Sequence, residues 1–420
     1  MVVSQRGDQF ASRERVDDKE RYVTLKGSSP AYERIYNGAT WIDDRLVYYA
    51  VKDGKDVLVD GEKVIDLEGS ATSPLVSPRL WPSPDTTGYC AFSSDGTKVR
   101  WFLDGEAQVT TFDRLAPVLR MTQGRSTRLF AGVNDCTWKV VGHPASAAVD
   151  WDVIHEICAT SDGTVVFVYG ERASLPMLMR NGEEVLREKM FSFAASRDGA
   201  SWHAVVDRSV DGQPMMELLK NGHPVAQASA DESRHQFYSS ADGSSWAWII
   251  LSADYSSAQL KRPGAADQPF ESVPLQFFLS EDGTRVAYVR VAVAAPSQVQ
   301  MVVDGVPQPS HPSIAGTTFR FGPEKAFAYV VADEMNSIVH SHLGAGPAFD
   351  ETSQILFLPD GRPVYTGSRM GERYIVVGTE PHLVPADELH ALRTLRLEGT
   401  KVFVLGRRGD TVIQFRLTTD

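Results

Sequence analysis

Phe277-Phe278-Leu279-Ser280-Glu281-Asp282-Gly283-Thr284-Arg285-Val286-Ala287-Tyr288-Val289-Arg290-Val291 carries the decisive pattern. An apolar triplet runs into a Ser-x-Asp-Gly turn, and an apolar strand with an aromatic follows within a few residues. Asp-Gly between two extended runs is a hairpin signal, because glycine supplies the positive φ that tight turns require. Further on, Met301-Val302-Val303 ends at Asp304-Gly305, which marks a second hairpin and completes a unit of about 40 residues.

The unit recurs. The first mark returns as Ser93-Ser94-Asp95-Gly96, Thr160-Ser161-Asp162-Gly163, Ser196-Arg197-Asp198-Gly199, Ser240-Ala241-Asp242-Gly243, Pro359-Asp360-Gly361 and Glu398-Gly399. Weaker copies fall at Asp43-Asp44, between Arg125 and Phe130, and at Pro323-Glu324. The second mark returns at Asp60-Gly61, Asn181-Gly182 and Asn221-Gly222, and glycines at 142, 182, 222, 264, 305, 344 and 378 keep its beat. Four short strands per repeat of about 40 residues is the size of one propeller blade. The expected fold is all-β: a single β-propeller of about ten four-stranded blades, with a range of eight to ten. Residues 21–420 form the propeller in this reading, and residues 1–20 a flexible N-terminal segment. The first strand of each blade reads as apolar on both faces, as an inner strand would.

Ser280 to Tyr288 resembles the WD-like repeats of the TolB family, which also build the propeller domains of prolyl-oligopeptidase-type enzymes. The resemblance extends over residues 37–420 and concerns architecture, since one fold hosts many functions.

Two places depart from the rhythm. Asp95-Gly96 and Asp104-Gly105 are too close to hold two strands, so that blade is short or Asp104-Gly105 is its middle turn. The segment from Gly69 to Asp85, with Pro74, Pro78, Pro82 and Pro84, reads as an inserted loop. The last unit supplies Leu392–Leu397, Lys401–Leu405 and Val412–Leu417 but no fourth strand. Arg21-Tyr22-Val23-Thr24-Leu25 is β-prone and otherwise unassigned. It is expected to pair as the outer strand of the last blade and close the ring.

The formal net charge of −12 and the scattered basic residues argue against nucleic acid or an anionic membrane as a partner. There is no apolar run of membrane-spanning length, nor an apolar leader between Met1 and Glu20. Three cysteines make no even disulfide framework, and Cys90 and Cys158 sit in apolar runs where a thiol behaves as a small hydrophobe. The expected compartment is the cytoplasm.

Nucleophile elbow, phosphate loop, dinucleotide fingerprint and His-Glu-x-x-His are all missing. His340-Ser341-His342 would put two imidazoles on one strand face, but a zinc site needs three or four ligands. Neither cofactor nor metal is expected. Six residues before the turn aspartates stand Glu156, Gln236, Gln276 and Gln354, with Ser192 and Thr318 at matching places. This column, with Arg320, is a candidate ligand-binding ring at a channel mouth. The alternative is that it satisfies backbone groups or water. The aromatics Trp101, Phe167, Trp248, Tyr288, Tyr329, Tyr365 and Phe403 occupy one place in the repeat and read as core between blades. Trp81 and Arg79, in the proline-rich loop, are candidate partner-binding residues. The leading function is a non-catalytic protein-binding or scaffolding propeller whose partner is another protein or peptide. The alternative is a hydrolase or lyase with a site in the central channel, with or without the assistance of a metal, drawing on His155, Glu156, His235, Arg320 and Arg393.

Overall fold

The computed structural model describes residues 2–419 apart from 5–8, 25, 72–79, 83–87, 116–129, 143, 161–163, 211–212, 230–233, 253, 271–272, 334–335, 390–394 and 410. Among the described residues eleven antiparallel sheets follow one another along the chain, most of them four-stranded, and the one helix is the single turn Pro144–Ala147. This is the architecture of a β-propeller with eleven blades. We number the sheets in chain order.

Two compact units divide them. Residues 1–231 with 241–244 hold sheets one to six, and residues 232–240 with 245–420 hold sheets seven to eleven. Within each unit, consecutive sheets share an apolar layer. Ile157, Val166 and Met177 of the fifth sheet pack on Val133, Trp138 and Val140 of the fourth. Ala287, Met301 and Val303 of the eighth pack on Phe327, Tyr329 and Val331 of the ninth. A blade with a neighbour on either side, such as the fifth or the ninth, is thus apolar on both faces, which follows from being stacked between neighbours.

The additional blade, which sequence reading left out, is the first. Val2–Val3, Phe10–Val16, Lys19–Thr24 and Gly27–Ser28 form the first sheet. Asp17 and Asp18 both take positive φ, 48° and 63°, and so make the two-residue turn of its central hairpin. The expected strand donation is corrected here. Tyr22 to Thr24 is flanked on one side by Phe10–Val16 and on the other by Gly27–Ser28, so both edges of the strand are taken within its own sheet. Tyr22 packs edge-on to Tyr48 of the second sheet at 4.9 Å, anchoring the first blade on its neighbour. Leu25 lies outside the described residues.

Burial also moves by one strand. In blades such as the seventh and eighth the second strand, not the first, is the deeply buried one: Trp246–Leu251 is buried throughout, and Val286–Ala292 nearly so. The first strands, such as Gln276–Leu279, lie at the sheet edge and are only partly covered. A strand paired on both sides and sandwiched on both faces loses more water than one paired on a single side.

In the third sheet, Trp81–Pro82, Tyr89–Ser94, Val99–Leu103 and Glu106–Ala107 are the four strands. Asp95-Gly96 is therefore the turn between its second and third strands, and Asp104-Gly105 the turn between the third and fourth. Asp104 accepts the N–H of Tyr89 at 2.8 Å. Asn181, Asn221 and Asp304 accept the N–H of Val166, Trp202 and Val286 in the same way at 2.7, 2.8 and 3.0 Å. One Asx side chain thus ties the last turn of a blade to the start of its second strand. That explains why aspartate or asparagine precedes these glycines.

The Ser-x-Asp-Gly turn is a second joint. Ser280 Oγ receives the N–H of Arg285 at 2.9 Å and donates to Asp282 Oδ1 at 2.5 Å, while Asp282 accepts the N–H of Thr284 at 3.1 Å. Ser196 and Ser240 repeat the serine cradle. The turn glycine leans on the preceding blade. A Cβ on Gly283 would lie 2.4 Å from Ser245 Cβ, and one on Gly199 would lie 2.6 Å from Thr160 Cγ2. Arg285 locks the eighth blade to the ninth: Nε donates to Asp304 at 2.9 Å, and Nη1 to the carbonyls of Glu324 and Ala326 at 2.9 and 2.8 Å.

Candidate functional site

Bulges in the first strands place Glu156, Ser192 and Thr318 of the polar column, whereas Gln236 and Gln276 sit in unbroken register. Pairing slips between Ile154 and Glu156, between Met190 and Ser192, and between Ala315 and Arg320. A bulge leaves backbone groups off the ladder, and side chains of this column pick them up. Thr318 Oγ1 accepts the N–H of Val330 at 3.0 Å and donates to Ala315 O. Ser353, beside Gln354, accepts the N–H of Thr366 at 2.9 Å. Gln236 Oε1 receives the phenol of Tyr238 at 3.0 Å. Glu156 is half-buried at its bulge. Gln276 and Gln354 are exposed, and so is Arg320, which donates to Phe319 O at 2.9 Å.

Of the residues named for an enzymatic channel, His155 and Glu156 belong to the first unit and His235 and Arg320 to the second. His155 faces Glu171 at 3.4 Å and lies against Tyr169, with ring centroids 5.3 Å apart. Burial lowers the pKa of His235. Arg393 and Arg79 lie outside the described residues. Trp81 pairs by its backbone with Cys90. His342 sits at a turn rather than beside His340 on the strand. The true partner of His340 is His311 from the adjacent eighth sheet, at a centroid distance of 4.4 Å. Burial first, then the neighbouring imidazole, pushes His340 down to about 4. No spacing in the sequence signals that pair, because its members meet only through blade stacking. Among the described residues no group of three or more His, Cys, Asp or Glu side chains is arranged to hold a metal. All seven repeat-aromatics are buried, as their periodic placement predicts.

A groove of about 660 Å³ opens beside the second sheet, lined by Tyr36, Lys55, Asp56, Asp66, Glu68 and Ser70 among others. Its floor is already bonded: Asp56 accepts from Tyr36 Oη at 2.7 Å, from Ser70 Oγ at 3.1 Å and from the N–H of Ala71 at 2.7 Å. Nearby, the buried carboxylate of Asp60 receives Arg45 at 2.6 Å and Tyr89 Oη at 3.0 Å.

The least expected feature is an apolar blade end. The second and third strands of the eighth sheet are joined through Val291-Ala292-Val293-Ala294-Ala295-Pro296, and its first strand starts next to Leu275. Leu275 donates its N–H to Val289 O at 2.7 Å, which sets it at the same end of the sheet as this hairpin. Leu275 is 55 % exposed, Val293 69 % and Val291 38 %. The corresponding hairpin of the second sheet is Lys52-Asp53-Gly54-Lys55, and that of the seventh is the serine-rich run 252–257. Only the comparison of equivalent turns reveals the contrast; the hydrophobic residues themselves look like strand.

No family model matches the chain, and no curated protein matches its sequence. Solved structures resemble it at low identity. The crystal structure of the eukaryotic initiation factor is 13 % identical, with a TM-score of 0.45 over 89 % of this chain and 94 % of that one. Acylaminoacyl peptidase from Pyrococcus horikoshii is 10 % identical, with a TM-score of 0.33 over 76 % of this chain and 56 % of that one. Kluyveromyces lactis Hsv2 is 9 % identical, with a TM-score of 0.25 over 64 % of this chain and 96 % of that one. The fold assignment rests on the blades themselves. No helix among the described residues is long and apolar enough to cross a membrane.

Proposed function

We propose that this chain is a non-catalytic, protein-binding propeller of the TolB-like or WD-like repeat type, acting as a scaffold in the cytoplasm. The observation that carries the reading is the uncharged apolar end of the eighth blade, Leu275 with Val291 and Val293. Loops on a rigid scaffold are where binding residues gather. Scattered exposed apolar residues are ordinary, whereas several gathered at one blade end mark a contact surface. Two members of the polar column already bond within the chain, Thr318 to the backbone and Gln236 to a neighbouring phenol.

The test is a double substitution, Leu275→Ser with Val293→Asp, in the full chain. Circular dichroism should be unchanged, because both side chains are largely in water. Proteins co-purifying stoichiometrically with the wild type from its native cell should be lost. Retention of every such partner by the variant would refute the assignment of this surface.

A further inference from the structure

The outer strand of each blade is the one exposed to pairing with other chains, and this protein guards it in nearly every sheet. Pro224, Pro307, Pro309, Pro347 and Pro381 stand in the fourth strands of the sixth, eighth, ninth and tenth sheets. Bulges interrupt three of these strands. The fourth strands of the second and fifth sheets carry charge, as Lys63-Val64-Ile65-Asp66 and Glu183-Glu184-Val185-Leu186. Proline, charge and bulges are the ordinary devices against edge pairing.

The outer strand of the eleventh sheet has neither proline nor bulge, and its one charge is Arg416. Thr411–Thr418, Thr-Val-Ile-Gln-Phe-Arg-Leu-Thr, pairs with Lys401–Arg408 in uninterrupted register over eight residues. Among the described residues no strand lies on its other side. Thr419 donates its N–H inward to Thr400 O at 3.0 Å. By the alternation of an antiparallel ladder, the N–H and C=O groups of Val412, Gln414, Arg416 and Thr418 then point outward. The two faces differ. Phe415 and Leu417 continue the apolar layer of Val402 and Val404, while Arg416 and Lys401 stand on the opposite face with no acidic partner among the described residues.

We infer that this edge accepts an extended segment of another protein as the fourth strand of the eleventh blade. The segment that fits is antiparallel, with apolar side chains alternating on the Phe415–Leu417 face and aspartate or glutamate on the Arg416 face. Main-chain bonds supply affinity in such strand addition and alternate side chains supply specificity. A second copy of this chain is a poorer occupant, because each carries a formal net charge of −12 and offers no acidic residue from 411 to 418 to meet Arg416. The site lies on a different blade end from Leu275 and Val293, and the double variant there leaves it intact, so the two readings fail separately.

The probe is a short fluorescein-labelled peptide of alternating valine and glutamate, titrated into the full chain by fluorescence anisotropy. Amide exchange of Val412, Gln414, Arg416 and Thr418 should slow on saturation. Gln414→Pro removes one outward N–H and no inward one, and proline is tolerated at such an edge position. It should weaken the peptide by about tenfold or more, as expected when main-chain pairing is blocked. Arg416→Glu should weaken the valine–glutamate peptide and strengthen a valine–lysine one. Equal binding by Gln414→Pro and wild type, or no charge reversal with Arg416→Glu, overturns the inference. So does slow exchange of the four amides in the free protein, which would mean that the chain covers its own edge. A concentration-dependent dimer abolished by Gln414→Pro also overturns it, by making the occupant a second copy.

Discussion

Replacing Gly283 by alanine separates two costs that a glycine in a turn can carry. At φ +68° any L-residue is in the left-handed region, which costs about 1–2 kcal/mol. Gly264, at φ +66°, shares that cost but has open space where its Cβ would go. Gly283 has Ser245 Cβ at 2.4 Å and Ser240 Cβ at 3.0 Å from the added atom. Relief requires the Ser240–Ser245 turn to retreat, at the expense of the Ser245 Oγ bond to Gly283 O at 3.2 Å. Overpacking of this kind adds about 1–3 kcal/mol and a lost hydrogen bond about 1 kcal/mol. Gly264→Ala should therefore cost about 1 kcal/mol, and Gly283→Ala about 3–4 kcal/mol. Urea denaturation followed by tryptophan fluorescence reads the difference. Equal losses would refute the claim that successive turns are seated on one another.

Arg285→Ala should cost about 3 kcal/mol, since a largely buried guanidinium leaves Asp304 and the carbonyls of Glu324 and Ala326 unmet; Arg285→Lys should recover only part of it in the same denaturation assay. Tyr22→Ala should lower stability by about 3 kcal/mol, by removing a buried ring from the layer between the first two blades; an unchanged melting temperature would mean that the first blade does not support the second. Acid should destabilise the protein through His203, which is fully buried and whose imidazole burial pushes down to about 4. Its proton binds the unfolded chain first as pH falls below about 6.5, so the loss begins there, reaches about 2 kcal/mol at pH 5 and levels off near the folded value. His203→Gln should flatten the stability profile between pH 7 and 5, and an unaltered slope would show that another group titrates.

The repeat was legible because its punctuation is local. Asp282-Gly283 and Asp304-Gly305 encode their turns by side-chain bonds two to five residues long, or by a positive φ that glycine tolerates. The blade number was misjudged where punctuation uses other residues: Asp17-Asp18 makes a sound hairpin turn without glycine, so the first blade went unseen. In the third blade a familiar signature sits in a different turn, which residue types alone do not reveal. The candidate site was legible only in part. The polar column was visible, but the slips that explain Thr318 and Ser192 are irregularities of pairing and leave no periodic trace. The pairing of His311 with His340, and the bare edge at Thr411–Thr418, depend on which segments end up side by side.

The seating of Gly199 on Thr160, and of Gly283 on Ser245, bears on how such a chain can change its length. Each contact involves a turn and the turn immediately before it, made from the same few small residues each time. A duplicated stretch from one such turn to the next would arrive with a compatible joint at both ends and oblige no other blade to adapt. Growth or loss by whole repeats is then a smaller step for this protein than the insertion of a single residue within any Ser-x-Asp-Gly turn.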